Sequence, residues 1–169
     1  MFSRAIKGLA VVCGYLAAVF LAGIAVATLT QIIARQLGRP IEMTELSGFF
    51  LAASSFLGLA YTFVNGGHVR IGLVSQFASD HWRQRIDIAV CLVAGFVVAF
   101  AAWHMTAFTY ESYRFGDLSP GFLAAPLWIP QSAVSFGLTV MFLAIVEQTL
   151  QVITGREPDY ATNVDSTGE

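Results

Sequence analysis

The sequence predicts an all-α integral membrane protein, with four transmembrane helices and a short interfacial amphipathic helix between the second and third. Four apolar stretches predict the spans: residues 9–33, 46–64, 86–108 and 130–153. Each approaches or exceeds the roughly 20 residues that cross about 30 Å of hydrocarbon. Composition agrees, because 56% of the 169 residues are hydrophobic and only 12% are charged, against about 25% charged in soluble domains.

The first span follows Arg4 and Lys7, as the apolar part of a signal peptide would. Its apolar run is about 25 residues long, however, and a signal h-region has only about 7–15. We therefore expect a retained first helix. Cys13 and Cys91 lie inside spans and outside any C-x-x-C pair, which predicts small packing residues.

The connections carry local signals. Thr44 is a plausible N-cap for the second helix, and Glu45 in its first turn would complement the helix dipole. Residues 68–85 alternate apolar and polar side chains at helical spacing, which predicts the interfacial helix. Three prolines and two glycines between Tyr110 and Pro130 argue against one continuous helix there.

Positive charge predicts the orientation. Four spans place both termini and the second connection on one side, which holds six Lys and Arg residues against three on the other. Positive charge marks the cytoplasm, so both termini are expected there. The tail, residues 156–169, is polar and acidic and is predicted to be disordered, leaving residues 1–155 as a single membrane domain.

Small residues predict the helix contacts, because helices in lipid associate where their backbones can approach closely. The first span has a small residue at every fourth position, and the second and third spans carry shorter sets. The predicted packing residues are Ala10, Gly14, Ala18 and Ala22 in the first span, Ser54 and Gly58 in the second, and Gly95 in the third.

The sequence offers few residues that could bind a cofactor or catalyse a reaction. Only His104 of the three histidines lies in a span, whereas a membrane haem needs two histidines at similar depth on facing helices. The central thirds of the spans contain no Asp, Glu, Lys or Arg, and Glu147 is the nearest such residue. Metal-ligand spacings and nucleotide motifs are absent from the sequence. These observations predict a bundle that is neither an enzyme nor a binder of cofactors or nucleic acid, and that works with a partner.

Three segments, in order, resemble the small membrane (Q) subunit of tripartite ATP-independent periplasmic (TRAP) transporters. The stretch I-I-A-R-Q-L-G-R-P-I-E-M-T-E-L resembles that family's R-x-x-x-x-x-P…W-x-E-E motif, with Met43 and Thr44 departing from it. The stretch N-G-G-H-V-R-I-G-L-V resembles H-[IV]-R-V-D-L-L, with Gly72 in place of Asp. The stretch S-P-G-F-L-A-A-P-L-W-I-P resembles the S…P-x-W segment before the fourth helix.

The resemblance implies a scaffold subunit in a bacterial inner membrane. It would pair with a large multi-spanning subunit that binds the substrate and sodium, and a periplasmic binding protein would deliver an organic acid such as a carboxylate. The candidates for contact with these partners are Arg35, Arg39, Glu45, His68, Arg70, Arg114, Pro126 and Trp128. Two other readings stay open at this point: the membrane anchor of a haem or quinone redox complex, and a small free-standing exporter.

Overall fold

The computed structural model describes residues 2–39, 41–65, 80–121 and 123–153. Within these residues the chain forms four helices, each long and apolar enough to cross a membrane. They are α1 (Phe2–Gln36), α2 (Thr44–Val64), α3 (Asp80–Phe115) and α4 (Trp128–Ile153). Each predicted span lies inside one of them, so the prediction of four spanning helices is confirmed. The predicted interfacial helix and the predicted disordered tail lie outside the described residues.

α4 is the central helix of the bundle. It packs against α2 and α3 and also touches α1, whereas α1 packs mainly against α2. In the most apolar 18-residue stretch of α4, 44% of the residues are buried, against 17% in each of the other helices. α1 and α3 therefore expose broad apolar faces.

Neighbours in the chain form antiparallel hairpins. Ser54 on α2 donates from its Oγ to the carbonyl of Ala17 on α1, at 2.9 Å. The hydroxyls of Thr106 on α3 and Ser135 on α4 lie 2.7 Å apart. Hydrogen bonds of this kind between membrane helices contribute about 0.6 kcal/mol each on average. The α1–α2 hairpin and the α3–α4 hairpin then meet along α2 and α4, which run parallel.

The meeting of the hairpins depends on Gly137. A Cβ atom built on Gly137 would lie 2.6 Å from the carbonyl carbon of Phe56 and 2.9 Å from the amide nitrogen of Leu57. Both atoms belong to the backbone of α2, so the two helices touch main chain to main chain. Gly137 is not among the predicted packing residues, although a glycine near the middle of a span is a signal of close helix approach.

The predicted stripe of small residues on α1 does not form one face inside the chain. Ala10 is fully buried, but Ala18 and Ala22 are exposed. A step of four residues turns an α-helix by about 400°, so the stripe drifts by about 40° at each step. The buried residues of α1 instead lie at intervals within half a residue of a multiple of 3.5, namely 4, 3, 4, 10 and 7, which keeps them facing the neighbouring helix. They are Ile6, Ala10, Cys13, Ala17, Ala27 and Ala34.

The other predicted packing residues lie at helix contacts. A Cβ on Gly14 would lie 2.7 Å from the Tyr61 ring, so the glycine makes room for that side chain. Gly58 faces Ala17 at 3.7 Å, and Gly95 faces Ile145 at 3.4 Å, by the same measure. Whether Ala18 and Ala22 pack against a partner subunit stays a prediction.

Candidate functional site

The predicted partner-contact residues that the structure describes all lie at one end of the bundle. At this end, called the loop end, α1 and α3 finish and α2 and α4 begin. It carries the first loop (residues 37–43) and the second loop (residues 116–127). Six of the eight candidates lie here: Arg35, Arg39, Glu45, Arg114, Pro126 and Trp128. His68 and Arg70 lie outside the described residues.

Glycine caps close both helices that finish at the loop end. Gly38 has φ 72°, its N–H bonds to the Arg35 carbonyl at 3.1 Å, and the Arg39 N–H bonds to the Ala34 carbonyl at 2.9 Å. This is a Schellman motif, which needs the left-handed conformation that glycine adopts without strain. Gly116 repeats it at φ 68°, where the Asp117 N–H bonds to the Ser112 carbonyl at 3.0 Å. The caps fix the direction in which each loop leaves its helix.

The second loop is closed by its own backbone hydrogen bonds. The Ser119 N–H bonds to the Ala125 carbonyl at 2.9 Å, and the Leu127 N–H bonds to the Asp117 carbonyl at 3.0 Å. Leu118 and Pro126 therefore face each other across an isolated antiparallel bridge. The prediction that no single helix runs through this region is correct. The loop is an ordered hairpin-like element rather than an irregular linker.

Glu45 joins the second loop to α2. Its Oε2 accepts a hydrogen bond from the Leu123 N–H at 3.2 Å. Its carboxylate also lies against Gly121, where a Cβ atom would overlap it. Hydrogen bonds to charged groups contribute about 1.5–3 kcal/mol, and this one is exposed, so water competes for the carboxylate and lowers its contribution. Glu45 thus links the first turn of α2 to the second loop, and it is also the acidic residue of that first turn.

The prediction that Thr44 is the N-cap of α2 is wrong. Met43, not Thr44, occupies the N-cap position, and no side chain there makes a capping hydrogen bond. The Met43 N–H instead bonds to Oε1 of Gln31 at 3.3 Å, on the preceding helix. This bond ties the first loop back to α1, but its donor is not one of the first-turn N–H groups that a Thr44 cap would have served.

Pro126 and Trp128 shape the start of α4. The Pro126 carbonyl accepts a hydrogen bond from the Ile129 N–H at 3.2 Å, which begins the first turn. The Trp128 ring meets the Tyr113 ring edge to face, with centroids 5.6 Å apart and planes at 87°. Such aromatic pairs contribute about 0.5–1.5 kcal/mol beyond burial. The pair links the end of α3 to the start of α4.

Both signs of charge lie exposed at the loop end. The exposed charged residues are Arg35, Arg39, Glu42, Glu111, Arg114 and Asp117. Glu45 is partly buried beside them, and Glu42, Glu45, Pro120 and Gly121 line a shallow open cleft. The loop end therefore offers a braced, charged surface to a partner in the aqueous phase.

The rest of the described bundle offers little for chemistry. In residues 2–39, 41–65, 80–121 and 123–153, no three His, Cys, Asp or Glu side chains are grouped as a metal site. Glu147 is buried, and its Oε1 accepts a hydrogen bond from Nε2 of Gln151 at 3.3 Å. It lines a small cavity together with Lys7 near the other end of the bundle. His104 is exposed on α3.

Comparison with known protein families decides the class. The family described as tripartite ATP-independent periplasmic transporters, DctQ component, matches residues 24–155. The chain belongs to the DctQ family. The match covers the last part of α1, both loops and the other three helices. No curated protein and no solved structure matched the chain.

DctQ proteins are transporter components and not enzymes. They work in a tripartite transporter, beside a large membrane subunit and a periplasmic binding protein. The resemblance drawn from the three sequence segments is therefore confirmed. The family and the four spanning helices together indicate a multi-pass protein of the inner membrane.

Proposed function

We propose that this chain is the scaffold subunit of a TRAP transporter that imports an organic acid, a carboxylate, with a sodium gradient. It holds a large membrane subunit, which binds the substrate and the sodium ions, and it presents the loop end to the periplasmic binding protein. Both termini lie in the cytoplasm. The observation that carries this proposal is the DctQ match over residues 24–155.

The packing of the bundle supports a fixed role. The main-chain contact at Gly137 leaves α4 no room to slide against α2 without separating from it. The Ser54 and Thr106 hydroxyls add hydrogen bonds within each hairpin. A subunit against which another moves has to resist deformation, and these contacts provide that resistance.

The loop end supports a docking role. Its exposed arginines and acids can orient a soluble partner, because complementary charge governs encounter and register more than raw affinity. The brace from Glu45 to Leu123 and the two glycine caps hold the loops in one arrangement. A partner that docks on a fixed surface loses less conformational entropy than one that must order the loops.

The test is reconstituted transport. The chain and its large subunit are purified together and placed in vesicles with an inward sodium gradient, and uptake of labelled carboxylates is followed with and without the binding protein. We expect uptake to require both membrane subunits, the binding protein and sodium. Collapse of the sodium gradient at constant membrane potential is the control for coupling.

Two results would contradict the proposal. Stable purification of the chain without any large subunit, from cells that express both, would argue against a scaffold role. Uptake at the full rate by the large subunit alone would show that the small subunit is not needed.

A further inference from the structure

The outward face of α3 carries three large aromatic side chains from the middle of the span toward the loop end, after exposed aliphatic residues such as Leu92 and Val93. Phe96 is 74% exposed, Phe100 59% and Trp103 76%. These side chains lie within about 60° of one another around the helix, given 100° per residue. The opposite side of α3, including Cys91 and Ala102, is buried against the bundle. The aromatic face therefore meets whatever surrounds the chain in the membrane.

His104 lies on the same side of α3 and inside the predicted span. It is exposed, and it stands four residues, about 6 Å along the axis, from the loop-end limit of the span 86–108. It also lies seven residues, about 10 Å, inside Glu111, the nearest charged residue toward the loop end. His104 is thus within the hydrocarbon layer, where polar and ionisable side chains are costly.

The direction of its side chain keeps His104 from reaching the interface. Helical side chains tilt toward the N-terminus of their helix, and the N-terminus of α3 lies at the far side of the membrane from the loop end. The imidazole accordingly lies beside the ring of Phe100, one turn deeper, with centroids 4.2 Å apart. Among the described residues, no hydrogen bond to either ring nitrogen is found.

The exposed face of α1 differs in this respect. It is formed mainly by aliphatic side chains such as Val12, Val19 and Val26. The hydroxyls of Thr28 and Thr30 are satisfied by carbonyls four residues back, at 2.8 and 2.7 Å. Tyr15 is exposed too, but α1 begins at the side its hydroxyl tilts toward, so the hydroxyl can snorkel to that interface. Lipid alone can cover this face.

We propose that the aromatic face of α3 seats a transmembrane helix of the large subunit, and that His104 forms a hydrogen bond with a polar group of that helix at the same depth. The face of α1 that carries Val12, Val19 and Val26 lies against lipid, and with it Ala22, which would then not contact the large subunit. The inference rests on the proposed function, since it needs the large subunit as the partner. Lipid tails offer neither a donor nor an acceptor to the imidazole, whereas a neighbouring helix can offer both.

Photo-cross-linking tests which face is covered. A benzophenone-bearing phenylalanine analogue replaces Phe96 or Phe100 on α3, or Val19 or Val26 on α1, in the full chain co-expressed with its large subunit. After irradiation of native membranes, we expect adducts with the large subunit from the α3 positions and lipid adducts from the α1 positions. Adducts with the large subunit from α1, or lipid adducts alone from α3, would overturn the inference.

Substitution of His104 tests the hydrogen bond. We expect His104→Leu to weaken binding of the large subunit in nanodiscs by about 3-fold, the average for a hydrogen bond between membrane helices, and by at most about 18-fold. His104→Gln keeps a donor and an acceptor and should restore most of the affinity, and the thermal stability of the isolated chain should not change. Unaltered affinity in His104→Leu, or an equal loss in His104→Gln, would overturn the inference.

The two levels of failure are separable. If the wild-type chain does not bind the large subunit at all, the proposed function fails and the inference falls with it. If the wild type binds normally and cross-links through α1, only the assignment of the face is overturned.

Discussion

Replacing Gly137 with alanine tests whether the main-chain contact of α4 and α2 holds the two hairpins together. The new Cβ would lie 2.6 Å from the Phe56 carbonyl carbon and 2.9 Å from the Leu57 nitrogen, where ordinary contact begins at 3.4 Å. The contact with the carbonyl carbon must therefore open by about 0.4–0.8 Å, from 2.6 Å to between 3.0 and 3.4 Å, and the Phe56 carbonyl oxygen lies closer still. None of these atoms can rotate away, because all belong to the backbone of a hydrogen-bonded helix.

The magnitude follows from overpacking. Forcing an extra methyl group into a filled contact costs about 1–3 kcal/mol. Alanine offsets part of this, since glycine inside a helix is about 0.5–1 kcal/mol less favourable. For chains of 150–250 residues, about 1 kcal/mol changes Tm by about 2–4 °C. The net cost is about 0–2.5 kcal/mol, so we expect Tm of Gly137→Ala to fall by up to about 10 °C.

The chain carries its own reporter for this assay. Cys13 and Cys91 are buried thiols outside any disulfide, so a thiol-reactive fluorophore labels them when the purified protein unfolds on heating. The matched control is Gly48→Ala on α2, where a Cβ would meet nothing within 4 Å and the propensity gain is unopposed. Gly95→Ala, at 3.4 Å from a rotatable Ile145 methyl, should fall between them. If Gly137→Ala melts at or above Gly48→Ala, the reasoning is refuted.

Three further outcomes are expected. A membrane-impermeant thiol reagent applied from the periplasm should label the variant Leu37→Cys, since the Leu37 side chain is 74% exposed at the loop end. It should not label Ser166→Cys, because the distribution of positive charge predicts cytoplasmic termini. The reverse labelling pattern would show that the topology is inverted. Charge reversal of Arg39 or Arg114 to Glu should reduce uptake most at low binding-protein concentration and in a salt-dependent way, with membrane assembly intact; superimposable titrations at every salt concentration would leave these arginines without a docking role. Glu45→Ala should speed backbone amide exchange in the second loop, because the Leu123 N–H loses its acceptor, and should leave exchange in α3 unchanged. Equal protection of the loop in the wild type and the variant would show that Glu45 does not order the loop.

The number of membrane-spanning helices could be predicted from the sequence because lipid imposes it, whereas α1 and α3 extend several residues beyond the predicted spans. A backbone in hydrocarbon must satisfy its own hydrogen bonds, so a long apolar run has one available conformation. The glycine caps at Gly38 and Gly116 were also readable in principle, since a glycine just past a helix is a stop signal. These features depend only on residues near in the chain.

The contacts between helices were harder to predict. The four-residue stripe on α1 treated a helix as if it had four residues per turn, and so Ala18 and Ala22 were placed on a face that turns away. The brace at Glu45 reaches a residue 78 positions along the chain. That contact exists because α4 lies beside α2 and parallel to it, and no local pattern specifies which helices become neighbours.

The order of helices in space has a consequence for how the protein is made. Each hairpin joins consecutive helices, so each can form as soon as its second helix enters the bilayer, but the seam between the hairpins waits for α4. Insertion and consolidation are therefore separate events during biogenesis. A chain whose α2–α4 contact is disrupted would be inserted with the correct topology, but its two hairpins would remain unpacked and open to membrane proteases. Detection in the membrane fraction therefore does not by itself establish a competent subunit.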